Sequence, residues 1–316
     1  MKHTKFFKDI NKDSVKEAGG KGASLGEMYS SGIPVPNGFV VLANSFDLFI
    51  KENNLDLKIK QLLKTVILKK TETIEKASKE IQKLILSGKI NDNLLKEIIT
   101  NFKKLKCKFV AVRSSATAED SSSAAWAGQL NTHLNTTEKK LIENIQKCWA
   151  SLYTSRAIFY RFEKKLHDTN ISVSVVIQKM VDSEISGIAF SVHPVTEDFN
   201  QLIIEAGYGL GEAIVSGQIT PDNYVVDKKK CEILDQQINI QSKALYKCYR
   251  RGVKWKELTK KKGYSQKLSN KQIINLSKII IKIEKHYGFP VDIEWAIEKN
   301  KIFITQSRPI TTLKKI

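Results

Sequence analysis

The spacing of apolar positions changes along the chain, and the change divides it into a helix-rich and a sheet-rich part. Residues 20 to 31 have the spacing of a helix that opens on Gly19, Gly20 and Gly22. Ile33-Pro34-Val35-Pro36-Asn37-Gly38 ends that helix and turns the chain into an apolar strand, Phe39 to Leu42. Residues 55 to 106 carry Leu and Ile at helical spacing among Lys and Glu, with a break near Ser87-Gly88. Phe109 to Val112 reads as a short buried strand running into a loop of small residues, Arg113 to Asp120, which continues to Gly128-Gln129. Leu141, Ile145, Trp149 and Leu152 share one face of a further helix.

After that the period shortens. Val173 to Val181, Gly187 to Val192, Leu202 to Ala206 and Tyr224 to Val226 are short β-branched runs between turn residues, which predicts a sheet. One more helix is marked by Ser269 and Gln272 as a capping box, with Gly288 and Pro290 beyond its end. The chain closes on a predicted hairpin, Val291 to Ile297 and Ile302 to Gln306. The expected class is α/β (α+β), in two lobes of residues 1–185 and 186–316.

Composition changes this picture little. A chain of 316 residues with 41% hydrophobic and 27% charged residues has the make-up of a globular protein with room for two cores. No run approaches a membrane-spanning length, and the first residues, MKHTKFFKDINKDS, do not have the form of a secretory signal, so a cytoplasmic location and no membrane partner are expected. The formal charge of +19 comes from lysines spread along the whole chain rather than one patch with interleaved aromatics. Nucleic acid is therefore not the expected partner, although the field favours an anionic ligand. Cys107, Cys148, Cys231 and Cys248 form no C-x-x-C pair, and the five histidines are scattered, so no His/Cys metal site emerges. Cys148, inside a helical pattern, is expected as a buried free thiol.

Four segments could carry chemistry. Gly19-Gly20-Lys21-Gly22 before a helix offers free N–H groups, a helix dipole and a cation to an anion, although a plain helix-start turn accounts for it nearly as well. Its spacing is not that of a Walker A loop. Val112-Arg113-Ser114-Ser115-Ala116-Thr117-Ala118-Glu119-Asp120 brings an arginine fork, suited to phosphate oxygens, into a loop of hydroxyls; a pairing of Arg113 with Glu119 or Asp120 is the alternative. Gly207-Tyr208-Gly209-Leu210-Gly211-Glu212 reads equally as a tight glycine turn, without the dinucleotide spacing. The terminal hairpin carries Asp292, Glu294, Gln306 and Arg308, oxygen donors suited to Mg2+ and a cation, or simply the outer face of a sheet.

In this order, together with VVIQKMV and SGIAFSVHPVT, these segments resemble the ATP-binding module shared by phosphoenolpyruvate synthase, pyruvate phosphate dikinase and rifampin phosphotransferase, over residues 10 to 312. The resemblance implies an ATP-grasp-type, two-lobed nucleotide-binding fold holding ATP between its lobes. By motif, Lys21 and Arg113 would hold phosphate oxygens, with Gly128 and Thr132 in the covering loop. The backbone of Gln178, Lys179, Met180 and Val181 would lie against the adenine. Glu294 and Gln306 would bind Mg2+, and Arg308 would contact the transferring phosphates. Lys21, Arg113 and Arg308 are thus the expected catalytic residues of a phosphotransferase with paired acceptors.

The family passes the β-phosphate of ATP to a histidine on a separate domain, forming AMP and phosphate, and then to pyruvate or to an antibiotic hydroxyl. An ATP- or AMP-binding regulatory module without turnover is the alternative. The Ser-His-Ala-like signature of the phosphohistidine domain does not occur, and His193 in Ser191-Val192-His193-Pro194 reads as a turn histidine. The chain is therefore expected to work with a phosphohistidine carrier in trans, either as a piece cut at a domain boundary or as a split subunit.

The metal role makes a demand on the hairpin. A two-residue turn at Lys299-Asn300 pairs Ile297 with Ile302 and Trp295 with Ile304, but regular pairing would set Glu294 opposite Thr305 and turn Gln306 to the other face. A shared ion therefore requires a β-bulge or an extra loop residue, expected near Lys301.

Overall fold

The computed structural model describes residues 2–117, 120–121, 124–125, 132–166, 171–248 and 252–313. The chain forms two compact units, Met1–Glu27 with Asn37–Met180 and Met28–Pro36 with Val181–Ile316.

The first unit is built on an antiparallel sheet of five strands: β1 (Thr4–Phe6), β2 (Gly38–Val41), β3 (Val110–Ala116), β6 (Thr132–Thr136) and β7 (Val173–Lys179), in the order β1-β2-β7-β3-β6. A two-residue pair, β4 (Asp120–Ser121) and β5 (Ala124–Ala125), stands apart from it. The helices are α1 (Val15–Ser30), α2 (Ala43–Glu52), α3 (Asp56–Lys64), α4 (Thr71–Ser87), α5 (Asp92–Lys104), α6 (Glu138–Ala150) and α7 (Ser155–Glu163). Alternate strand residues, among them Phe39, Val41, Val110, Val112, Val175 and Ile177, join Phe46, Phe49, Ile81, Ile98, Leu141, Ile145 and Trp149 in one apolar core. Cys148 is fully buried there as a free thiol, and burial pushes its pKa up.

Two expectations need correction. Arg113, Ser114, Ser115 and Ala116 are not loop residues: they continue β3, paired with β7 through Ala116↔Val173. The helical stretch of residues 55 to 106 breaks twice, at residues 65–70 as well as beyond Ser87.

The second unit has a six-stranded antiparallel sheet: β8 (Ile185–Phe190), β9 (Gln201–Tyr208), β10 (Asp222–Asp227), β11 (Glu232–Gln237), β14 (Val291–Glu298) and β15 (Lys301–Pro309), ordered β11-β10-β9-β8-β14-β15. A two-stranded ribbon, β12 (Lys243–Lys247) and β13 (Val253–Glu257), and the short helices α8 (Glu212–Val215) and α9 (Lys260–Gly263) complete it with α10 (Asn270–Tyr287). The ribbon was not predicted.

α10 begins on the expected capping box and ends on Gly288 in the left-handed region (φ 75°). It packs on β11 and β14. Its Ile273, Leu276, Ile280 and Ile283 are buried, as are Ala189, Leu202, Ile204, Tyr224, Ile293 and Trp295 on the strands. The opposite strand residues stay half-exposed at many positions, which leaves one face of this sheet available to chemistry. No helix among the described residues is long and apolar enough to cross a membrane.

Candidate functional site

In the first unit the glycine–lysine motif is docked onto β3. Gly19 breaks α1 with φ 67° and ψ 170°, a conformation open essentially only to glycine. The reason is proximity: a Cβ there would meet the Ser115 hydroxyl and lie 2.5 Å from the Ser115 carbonyl oxygen. Ser115 Oγ accepts the N–H of Lys21 at 3.1 Å and donates to Ala18 O at 3.2 Å; Ser174 Oγ donates to the same carbonyl at 2.5 Å. Hydroxyls from two neighbouring strands thus fasten the helix start.

Arg113 lies two residues before Ser115 on β3, so both point to the same face. Thr132 on β6 is the direct cross-strand partner of Arg113. The structure therefore brings Lys21, Arg113 and Thr132 together. Gly128, Glu119 and the side chain of Asp120 fall outside the described residues and side chains.

Gln178, next to last in β7, lies on the Arg113 face, since Val176 pairs with Arg113. It is 2% exposed, and among the described residues its Nε2 has no hydrogen-bond partner. The backbone that follows is partly committed: Lys179 N–H donates to Asn37 O at 2.8 Å and Met180 N–H to Phe109 O at 3.1 Å. Any ligand against this strand end meets carbonyls and side chains rather than those two amides. Val181 is buried and belongs to the second unit.

In the second unit the hairpin turns at Lys299 and Asn300, both at positive φ (49° and 62°), as a two-residue turn requires. Ile297 pairs with Ile302 and Trp295 with Ile304 as expected, and then the register shifts, so that Glu294 stands opposite Gln306. The extra residue is Thr305, not one near Lys301. The bulge therefore exists where the tertiary pairing needs it, four residues beyond the place the sequence suggested.

The strand neighbours extend this row across the sheet. Glu294 pairs with Ile188 on β8, Ile188 with Glu205 on β9, and Glu205 with Asn223 on β10. Asp292 and Arg308 are a direct pair one step along the same face. Arg308 donates from Nε to Asp292 Oδ2 at 2.8 Å, and its Nη2 lies 2.7 Å from the same oxygen. Burial raises the pKa of Asp292; Arg308 opposes the rise and Glu294 adds to it. Burial, then the charge of Asp292, also raises Glu205. Glu205 was missed by sequence reading because it sits inside a strand-like run; its only signal was a carboxylate interrupting Leu202-Ile203-Ile204.

The remaining motifs are structural. In Gly207–Glu212 the backbone of Tyr208 is clamped by Gln241, whose Oε1 accepts its N–H at 2.9 Å and whose Nε2 donates to its carbonyl at 3.0 Å. His193 Nδ1 accepts the backbone N–H groups of Val195 (3.3 Å) and Thr196 (3.2 Å), which makes it a turn histidine. Asp222 and Lys267 form a fully buried pair at 2.8 Å, and the carboxylate also accepts from Tyr224, Asn239 and the Lys267 backbone.

The geometry thus offers a glycine-fastened cationic corner in the first unit and a register-built oxygen face in the second. The family model of the pyruvate phosphate dikinase AMP/ATP-binding domain matches residues 15–316, and the chain belongs to this family. It is 43% identical over 323 residues to a probable phosphoenolpyruvate synthase of Methanocaldococcus jannaschii, covering 100% of this chain and 27% of that protein. A probable phosphoenolpyruvate synthase of Archaeoglobus fulgidus is 44% identical over 316 residues, covering 98% and 42%. The phosphoenolpyruvate synthase of Pyrococcus furiosus is 38% identical over 359 residues, covering 98% and 44%. The chain thus spans less than half the length of these relatives. Among solved structures, a D-alanine–D-alanine ligase from Helicobacter pylori shows 14% identity and a TM-score of 0.32 over 69% of this chain and 46% of that one, too little to argue from.

Proposed function

We propose that this chain is the ATP-grasp-type, ATP- and Mg2+-binding module of a phosphotransferase that passes the β-phosphoryl group of ATP to a histidine on a separate carrier domain. AMP and phosphate are the products of that half-reaction, and pyruvate is the onward acceptor, in keeping with the names of the relatives. The observation that carries this reading is the Glu294–Gln306 pairing created by the Thr305 bulge. Gln306 is 8% exposed, and no described residue hydrogen-bonds its amide. The oxygen of this amide beside a carboxylate fits a hard divalent cation.

Lys21 and Arg113 supply positive charge to phosphate oxygens, with the Thr132 hydroxyl beside Arg113. Arg308, oriented by Asp292, offers its remaining N–H groups to charge developing on the transferring phosphoryl group. Glu294 and Gln306 would hold Mg2+, which when bound neutralises phosphate charge. Positioning and neutralisation are most of what phosphoryl transfer asks of a protein.

Calorimetric titration with Mg-ATP tests the reading. The parent is expected to bind, and Arg113→Ala to bind about 10- to 100-fold more weakly, the loss of a charge-assisted hydrogen bond. Failure of the parent to bind ATP overturns the proposal. Binding without AMP formation, when a family phosphohistidine domain is supplied, supports a regulatory module instead.

A further inference from the structure

The break at Gly19 interrupts the hydrogen-bond ladder of α1, so the turn that follows opens like the first turn of a new helix, with amides that lack helical partners. A side-chain oxygen at the capping position ordinarily takes one of them, but Gly19 has no side chain. Ser115, on β3 and distant in sequence, supplies the oxygen instead. Its Oγ accepts the Lys21 N–H at 3.1 Å and the Gly22 N–H at 3.4 Å. The same hydroxyl donates to Ala18 O at 3.2 Å, on the near side of the break, and Ser174 of β7 donates to that carbonyl as well.

A serine hydroxyl has one proton to give and two lone pairs to receive. Ser115 uses all three and is fully buried, so it has nothing left to offer a ligand. The amides of Lys21 and Gly22 are likewise occupied. The helix start therefore does not hold an anion through these two N–H groups, as the glycine motif alone suggested. What it presents is the charge of the Lys21 side chain, on a backbone whose place Ser115 sets. Arg113 stands two residues before Ser115 on the same strand and face, so the cap fixes Lys21 relative to Arg113, a second cation that repels it. The helix is also held further along: a Cβ on Gly26 would lie 2.6 Å from the Cβ of Ile10.

Resting on the phosphate-binding role proposed above for Lys21 and Arg113, we infer that Ser115 is a positioning residue. It is a cap lent by a strand to a helix, which holds Lys21 beside Arg113 and so sets the affinity of the pair for the phosphate chain of the nucleotide. Ser115 acts through the backbone of Lys21 and touches neither the ligand nor a reacting atom. A role through Lys21 differs measurably from a general packing role. The first disappears when the Lys21 side chain is removed, and the second does not.

Mg-ATP titration of the full chain in a double-mutant cycle tests this. Ser115→Ala is expected to weaken binding about 10-fold where Lys21 is present, and by less than about twofold in the Lys21→Gln background. Ser45→Ala, which removes another fully buried hydroxyl bonded to a backbone carbonyl, should bind as the parent does. Amide hydrogen exchange gives a second reading without ligand: Lys21 and Gly22 should lose about 10-fold in protection in Ser115→Ala, while the β3–β7 ladder keeps its own. Parent-like affinity in Ser115→Ala, an equal loss in both Lys21 backgrounds, or unchanged protection at Lys21 overturns the inference and leaves the ATP site in place. A parent that binds no Mg-ATP overturns the reading of the site, and with it the claim that Ser115 sets its affinity.

Discussion

The two units solve opposite electrostatic problems by different means. In the first, cations are gathered by close approach of backbone: Gly19 lets the start of α1 touch Ser115, and Lys21 arrives two residues along β3 from Arg113. In the second, oxygen donors are gathered by strand register, with Gln306, Glu294 and Glu205 in one row of a sheet. A contact of backbone on backbone cannot relax, so the first arrangement is intolerant of added atoms. A register tolerates changes of length, provided that the faces are kept.

The largest effect should come from Gly19→Ala. The φ/ψ region is closed to other residues and the Cβ would press on Ser115, so we expect on the order of 3 kcal/mol or more of destabilisation. Urea unfolding followed by far-ultraviolet circular dichroism measures it; a loss below about 1 kcal/mol, the ordinary cost of a surface change, would show that the approach is not close.

Next comes the register itself. Deleting Thr305 makes the hairpin regular but still leaves Gln306 as the residue opposite Glu294, so Mn2+ affinity should stay within about threefold of the parent. Gln306→Ala keeps the bulge and removes the donor, and should cost about 10-fold. The reverse order of effects would mean that the bulge, not the facing pair, makes the site.

The smallest effect concerns pH. Glu205 has a folded pKa above its unfolded one, so its favourable contribution is present below the ordinary carboxylate range and is lost as pH rises through the raised value. In chelator, Glu205→Gln should therefore gain thermal stability over the parent between about pH 4 and about pH 8, with the two close at the acid end. Parallel melting curves across that range would contradict the burial, and the lesser charge of Asp292, that raise this pKa.

Much of this was legible from residue order alone. The capping box of α10, the two-residue turn at Lys299-Asn300 and the strand-like runs all depend on neighbours within a few positions, so local chemistry announces them. The β12–β13 ribbon was missed although Val253-Lys254-Trp255-Lys256 alternates apolar and polar residues, because that run is short and its partner Lys243-Ala244-Leu245-Tyr246-Lys247 does not alternate. Arg113 looked like a loop residue because its small polar neighbours Ser114 and Ser115 are buried beneath α1 and in the sheet, where hydroxyls bond backbone carbonyls instead of facing water.

By itself, then, the sequence determined most of the elements, which follow from spacing within short stretches, and the family, which follows from the order of its motifs. Only the tertiary structure decided where the bulge falls, that Glu205 joins the hairpin's oxygen face, and that Met28–Pro36 belongs with the second unit, where Pro34 O accepts the Ile304 N–H at 2.9 Å. Each of these depends on which strands lie side by side. That choice is made by burying whole faces at once, and no local window of residues contains it.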